Sequence, residues 1–248
     1  MNKITPISDR KNSKCFQKKS YESIEENKVI AMVPVRAGSN RVPNKNTRSF
    51  GDTSLLELKL ILLERINGLA QIIVSTDCEK SAIIASKFGA KVQWRNKHYA
   101  GSNITNDQHW YHIADTTPGN IVFLAQVTSP LLRVSTMQKA LNIFLKSKLH
   151  DSINSVSPEK KFLWQDGKPI NYNINLTPKS QNLPDIVSLN FAITITQRQS
   201  MMKRKNVVGY KPKFFELDKV EAMDIDDLID FKVAELMYNE LGRKWLMK

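Results

Sequence analysis

The sequence predicts an α/β fold, a three-layer, mostly parallel twisted sheet with a small excursion leading away from it. Continuous apolar runs at 29–35, 71–75 and 121–125 alternate with segments of helical length and helical apolar spacing, the pattern of βαβ units. Each run ends in polar or charged residues, which collects the ligand chemistry at the carboxyl edge of a parallel sheet. A chain of 248 residues can bury the core of one such domain.

Residues 1–28 form a polar, basic extension with seven Lys or Arg against four Asp or Glu. It lacks the apolar middle of a secretory signal, and its acids argue against a transit peptide, so a cytoplasmic protein is expected. The folded domain is assigned to 29–248. Its first strand, 29–35, carries Pro34 at the end, where a missing N–H is tolerated. A helix follows at 55–66, with a wide apolar face and Ser54 as N-cap. Next come a strand at 71–75, a helix at 80–88 stopped by Gly89, and a strand at 91–94. A helix at 105–114 ends before Pro118-Gly119, a strand occupies 121–125, and a helix at 135–146 begins after Pro130. Residues 151–188 turn rich in Asn, Pro, Lys and Ser, with short β-like pieces such as 152–156; they read as the excursion and as a dimerisation arm, so a homodimer is expected. A strand at 189–196 and a helix at 228–241 complete the order. The last helix carries Leu228, Phe231, Ala234, Tyr238 and Leu241 as a stripe.

The net charge of +13 is compatible with nucleic acid, an anionic membrane surface or a polyanionic small substrate. The surplus is dispersed, its longest run being 203–205, and reads as a solvated surface. A basic nucleic-acid-binding module has only this charge in its favour, because no interleaved aromatic and basic motif occurs. No run approaches the roughly 18 apolar residues of a membrane span. Neither a nucleic-acid nor a membrane partner is expected. Cys15 and Cys78 suggest no disulfide framework and no zinc site.

Three groups of residues carry the candidate chemistry. The loop after the first strand holds Arg36, Gly38, Ser39, Arg41, Lys45 and Asn46. It lacks the second Gly and the Lys-Ser/Thr pair of a P-loop, yet a guanidinium fork and a mobile ammonium suit a triphosphate. The other reading is a solvated basic turn. Asp224 and Asp226, at i and i+2 on an extended segment, face one side and suit a hard divalent ion shared with phosphates. Alternatively, Asp226 or Asp227 caps the helix that begins at Leu228. Gln126, Thr128 and Ser129 supply neutral groups for a sugar or base, or form a Ser-Pro turn. Asp77 is read as a ligand contact or as a cap of the following helix. His98, His109, His112 and His150 show no metal spacing and are assigned to surface or packing; Trp94, Trp110 and Trp164 are assigned to the core.

Residues 34–46, Pro-Val-Arg-Ala-Gly-Ser-Asn-Arg-Val-Pro-Asn-Lys-Asn, resemble the opening signature of the N-acylneuraminate cytidylyltransferases, the CMP-sialic acid synthetases and their legionaminate and pseudaminate relatives. The likeness continues in order through Ile73-Val-Ser-Thr-Asp77, residues 88–92, Arg95, residues 126–133, Leu189-Asn190 and Asp224-Ile-Asp226. It implies a Rossmann-like nucleotidyltransferase fold over 29–248. It also implies transfer of CMP from CTP to the anomeric hydroxyl of a nine-carbon 2-keto sugar acid, with release of pyrophosphate. Mg2+ would sit on Asp224 and Asp226, leaving Asp227 as the cap, and Arg36 and Lys45 would be catalytic groups on the leaving pyrophosphate. Arg36, Ser39, Asn46, Arg95 and Thr105 would bind the nucleotide; Gln126, Ser129 and Asn190 would bind the sugar acid. An eight-carbon acid such as KDO, another sugar nucleotide and a degenerate non-catalytic relative are the alternatives. The chain departs from the family pattern at Asn40, Ser102 and Phe191, where Lys, an acidic residue and Gly are usual, and it lacks an Arg over 179–188.

Overall fold

The computed structural model describes residues 28–39, 41–101 and 103–248, so residues 1–27 of the predicted extension and the departures Asn40 and Ser102 lie outside the described residues. In chain order the elements are β1 (Val29–Pro34), the short strands β2 (Ser49–Phe50) and β3 (Thr53–Ser54), α1 (Leu55–Leu63), β4 (Leu69–Thr76), α2 (Glu79–Lys87) and β5 (Lys91–Trp94). Next are α3 (Lys97–Ala100), α4 (Asn106–Thr116), β6 (Ile121–Leu124), α5 (Val134–Lys146), β7 (Ser152–Glu159), β8 (Trp164–Gln165) and β9 (Lys168–Pro169). The chain ends with β10 (Ile186–Gln197), α6 (Arg198–Arg204), β11 (Pro212–Glu216), α7 (Leu228–Leu241) and α8 (Arg243–Leu246).

Seven strands make one sheet in the order β11-β7-β10-β6-β1-β4-β5. Every pairing is parallel except those of β10, which runs antiparallel to both β6 and β7. Alternate residues of β1 face opposite layers, as the period of a strand requires. Val29, Ala31 and Val33 join the core with α1, α2, α5 and α7, whereas Ile30 and Met32 pack with Ile113 and Ala114 of α4 and Met201 of α6. Helices therefore cover both faces, and the predicted three-layer arrangement holds. No helix among the described residues is long and apolar enough to cross a membrane.

The predicted helix starts follow from local bonding. Ser54 accepts from Glu57 N at the start of α1, and Asp227 accepts from Ile229 N and Asp230 N at the start of α7. Gly89 ends the α2 turn at φ +71°, a conformation that costs glycine nothing.

The excursion is shorter than 151–188. β7 lies inside the main sheet between β10 and β11, so only the segment between β7 and β10 leaves it. The sequence shows a β-like piece at 152–156 but not its place in the main sheet, because β7 is polar. Its Ser152, Asn154 and Ser155 are buried and bond to one another's neighbours: Ser152 Oγ to Asn154 Oδ1, Asn154 Nδ2 to the Val207 carbonyl, and Ser155 Oγ to Asn190 Oδ1. Trp94 and Trp164 are exposed rather than core. Phe191 has φ +54°, the left-handed region, which accounts physically for glycine's being usual there.

Candidate active site

The strand exits meet at one edge because β1, β4 and β6 are in register, with Pro34 beside Ser75 and Met32 beside Leu124. Backbone bonds carry the register outward: Val35 N donates to the Ser75 carbonyl at 3.0 Å, Ala125 N to Met32 at 2.9 Å and Arg95 N to Thr76 at 2.8 Å. Asp77 is not the cap of α2. Its carboxylate accepts from Ala37 N at 2.7 Å and braces the basic loop, while Cys78 takes the N-cap of α2.

Over these exits lies a two-lobed cleft. One lobe, about 370 Å³, is lined by Arg36, Arg95, Tyr99, His109, Trp110 and Gln126. The other, about 330 Å³, is lined by Arg36, Ser39, Arg41, Lys45, Asn46 and Thr128. Pro34, Arg36 and Gln126 belong to both. A cavity of about 520 Å³ opens at the opposite edge of the sheet, beside Asn120, Gln197 and Arg198, where none of the predicted site residues lies. Chemistry, rather than size, marks the cleft.

Arg36 is exposed, and among the described residues its guanidinium makes only a long contact of 3.5 Å to the Ala100 carbonyl, leaving donors for a ligand. Arg95 is buried and fixed: Nε donates to Ser75 Oγ at 3.2 Å and Nη2 to the Ser75 carbonyl at 2.7 Å. Burial pushes its pKa down to about 10, which still leaves it charged at neutral pH. Asn46 Nδ2 donates to the Arg36 carbonyl at 3.3 Å and closes the loop on itself.

His109, assigned from sequence to surface or packing, lines the first lobe. Burial and then the positive charge of Arg95 push its imidazole down to about 4, so it is neutral at physiological pH. Because this lies below the usual value near 6.5, the unfolded chain binds more protons between those limits. Stability is therefore full above about pH 6.5 and falls as the pH drops toward 4. His109→Gln is expected to lose less of its urea midpoint than the parent chain between pH 7 and pH 5.

The acidic segment reaches this edge from far away in sequence. After β11 the chain crosses back to the exit of β6, where Ile225 N donates to the Thr128 carbonyl at 2.9 Å. Lys45 Nζ donates to the Ile225 carbonyl at 2.6 Å, and the Ile225 side chain is fully buried. Asp224 and Asp226 stand exposed on either side of it. Burial around the Asp224 carboxyl raises its pKa despite its open face; the Thr128 hydroxyl opposes the rise and Asp226 adds to it. Burial lowers the pKa of Lys45 against the pull of both aspartates. Arg41 Nη2 pairs with Asp226 Oδ1 at 2.9 Å in an exposed contact, of the kind worth about 1 kcal/mol or less.

Two carboxylates that repel each other across one buried residue form a donor set that fits a hard divalent cation. The described residues hold no group of three or more His, Cys, Asp or Glu that would enclose a metal. An ion on Asp224 and Asp226 would thus complete its shell with water and substrate oxygens, the usual manner of magnesium.

Besides Asp224 and Asp226, whose segment meets the second lobe at Thr128 and Lys45 without lining it, three predicted residues stand apart from the cleft walls. Thr105 caps α4 through a capping box with Gln108 and lines a separate cavity with Tyr111 and Lys205. Asn190 commits its amide to Ser155 and Ser157 of β7. Ser129 is 1% exposed, so the expected contact with the sugar acid gives way to a place beneath the cleft. Its carbonyl accepts from Lys59 Nζ at 2.9 Å. Sequence reasoning passed over Lys59, although a lysine amid the leucines of 55–63 was its visible signal.

Comparison with known proteins gives this geometry its family. The chain is similar to the post-translational flagellin modification protein B of Campylobacter coli, 23% identical over 86% of this chain and 95% of that protein. It is similar also to the CMP-N,N'-diacetyllegionaminic acid synthase of Legionella pneumophila, 26% identical over 89% of this chain and 100% of that protein. In fold it is similar to a CMP:2-keto-3-deoxy-manno-octonic acid synthetase solved with CTP, at TM-score 0.64 and 14% identity, covering 86% of this chain and 100% of that one. The cytidylyltransferase family model matches residues 30–182, which span the basic loop, the buried arginine and the exit of β6. The chain belongs to the cytidylyltransferase family and is a nucleotidyltransferase.

Proposed function

We propose that the chain transfers CMP from CTP to the anomeric hydroxyl of a nine-carbon 2-keto sugar acid of the sialic type, releasing pyrophosphate. The observation that carries the reading is the exposed guanidinium of Arg36 at the junction of two lobes, one walled by the rings of Tyr99, His109 and Trp110 and the other by Lys45, Arg41 and Thr128, the last of which holds the aspartate segment through the Ile225 amide. A nucleoside fits the first lobe, with Arg95, Tyr99 and the neutral His109 around the base. The triphosphate then turns at Arg36 into the second.

The hydroxyl oxygen loses its proton to solvent water and forms a bond to the α-phosphorus while the bond from that phosphorus to the bridging α,β-oxygen breaks, and pyrophosphate leaves with that oxygen. Arg36 and Lys45 neutralise charge that gathers on the leaving oxygens, and Ser39 and Asn46 orient the phosphates. Held in place before the reaction, such groups need no reorganisation as charge develops. Gln126, common to both lobes, can align the sugar acid beside the α-phosphate. Mg2+ bound on Asp224 and Asp226 would supply charge neutralisation at the phosphate oxygens. The name of the legionaminic acid relative favours a nine-carbon acid as acceptor.

The same reading places the protein in the cytoplasm, where CTP is available, and makes it a homodimer. The excursion favours the dimer, because Phe162, Trp164, Ile170, Ile174 and Leu176 are exposed along it. Pyrophosphate release with CTP, magnesium and a panel of sialic, legionaminic, pseudaminic and eight-carbon acids tests the function. Release is expected with a nine-carbon acid; release only with the eight-carbon acid would change the substrate, and release with none would end the reading.

A further inference from the structure

Helix α1 is buried except along the line of Glu57 and Ile61, which keep partial exposure. Leu55, Leu56, Leu58, Leu60, Leu62 and Leu63 are each no more than 1% exposed, and Lys59 among them is equally buried. An ammonium in such a place gives up its hydration, a loss seldom recovered without a close anion. Lys59 donates to the Ser129 carbonyl at 2.9 Å, and no ion pair among the described residues includes it. Asp224 is the charged side chain that supports the ammonium. Beside it, the Ser129 hydroxyl is buried with no hydrogen-bond partner among the described residues. Leucine-lined packing has no need of a cation, so this charge is a stability liability placed directly under the cleft.

Its connections lead to the reacting groups. Ser129 follows Thr128, whose carbonyl takes at 2.9 Å the amide of Ile225, the residue between Asp224 and Asp226. The Ile225 carbonyl in turn receives Lys45 Nζ. Anything that fixes Ser129 therefore fixes the aspartate pair relative to the basic loop.

We propose that Lys59 is a positioning residue for cytidylyl transfer: by holding the Ser129 carbonyl from below, its ammonium sets the 126–129 exit and, through Thr128, the placement of Asp224 and Ile225 against Lys45. The inference rests on the function proposed above. Lys59 touches no substrate; its effect passes through the backbone it grips.

Lys59→Met keeps the length and apolar volume and removes the donor and the charge. Its Tm is expected to equal or exceed that of the parent chain, because a buried charge has gone. Its kcat is expected to fall roughly 10- to 100-fold, the usual scale for groups that orient a site from behind, with the KM for CTP altered less than about threefold. Lys59→Gln, whose amide can donate to the same carbonyl, is expected to regain part of that loss while staying below the parent chain. Three results would overturn the assignment: Lys59→Met with parental kcat, a loss of kcat that merely tracks a fall in Tm, or Lys59→Gln no better than Lys59→Met. Should Lys59→Met be insoluble, Lys59→Gln decides alone, a severalfold lower kcat at unchanged Tm supporting the role and a parental kcat removing it. A parent chain that turns over while the variants match it defeats this inference only; a parent chain without turnover defeats the functional reading as well.

Discussion

Asp224→Asn combined with Asp226→Asn is expected to lower turnover by about 10³-fold or more while leaving the fold intact. The two amides match the carboxylates in volume, so the change is one of charge. The segment itself is held by other groups: the buried Ile225 side chain, its amide on Thr128 and its carbonyl under Lys45. Losing the exposed Arg41–Asp226 pair costs about 1 kcal/mol at most, and removing the repulsion between the aspartates offsets part of it. Asp227→Ala is the control. It deletes the α7 cap and should cost about 1 kcal/mol of stability with turnover changed little. Pyrophosphate release at saturating magnesium, measured beside thermal unfolding, separates the two effects. Magnesium-dependent turnover that survives the double substitution would remove the metal from these residues.

The second large effect is expected at Arg36. Arg36→Ala should reduce kcat/KM for CTP by roughly 10²- to 10³-fold, since it removes the one cation that faces both lobes. Its stability should barely change, because the side chain is exposed and its only bond among the described residues is the 3.5 Å contact to Ala100. Arg36→Lys should recover only part of the activity, as an ammonium cannot grip phosphate oxygens as a planar fork. Steady-state kinetics with varied CTP at saturating sugar acid provides the measurement. Parental kcat/KM in both variants would place the triphosphate elsewhere.

Where an element is buried on both faces or capped locally, its sequence was sufficient to find it. β1 is a run of apolar residues because helices cover both sides of the sheet, and Ser54 and Asp227 announce their helices through bonds to amides only two or three residues away. The basic loop was legible for the same local reason: Arg36 to Asn46 follows directly on a strand exit. β7 was legible only as a β-like piece and not as a strand of the main sheet, because its buried Ser152, Asn154 and Ser155 find partners on β10 and in the 207–209 region, which lie 35 residues or more away. Trp94 and Trp164 misled in the opposite sense, being apolar residues left at the surface.

The site divides in the same way. The residue types proposed for phosphate and metal, Arg36, Lys45, Asp224 and Asp226, were legible in the sequence alone, since their chemistry is carried by the side chains themselves. Their meeting was decided by tertiary structure, through the return of the chain from β11 that sets Ile225 on Thr128 and under Lys45, 180 residues apart. The neutral state of His109 and the liability of Lys59 also belong to the fold. A histidine or lysine has an ordinary charge in sequence, and only burial among distant segments changes the cost of keeping it.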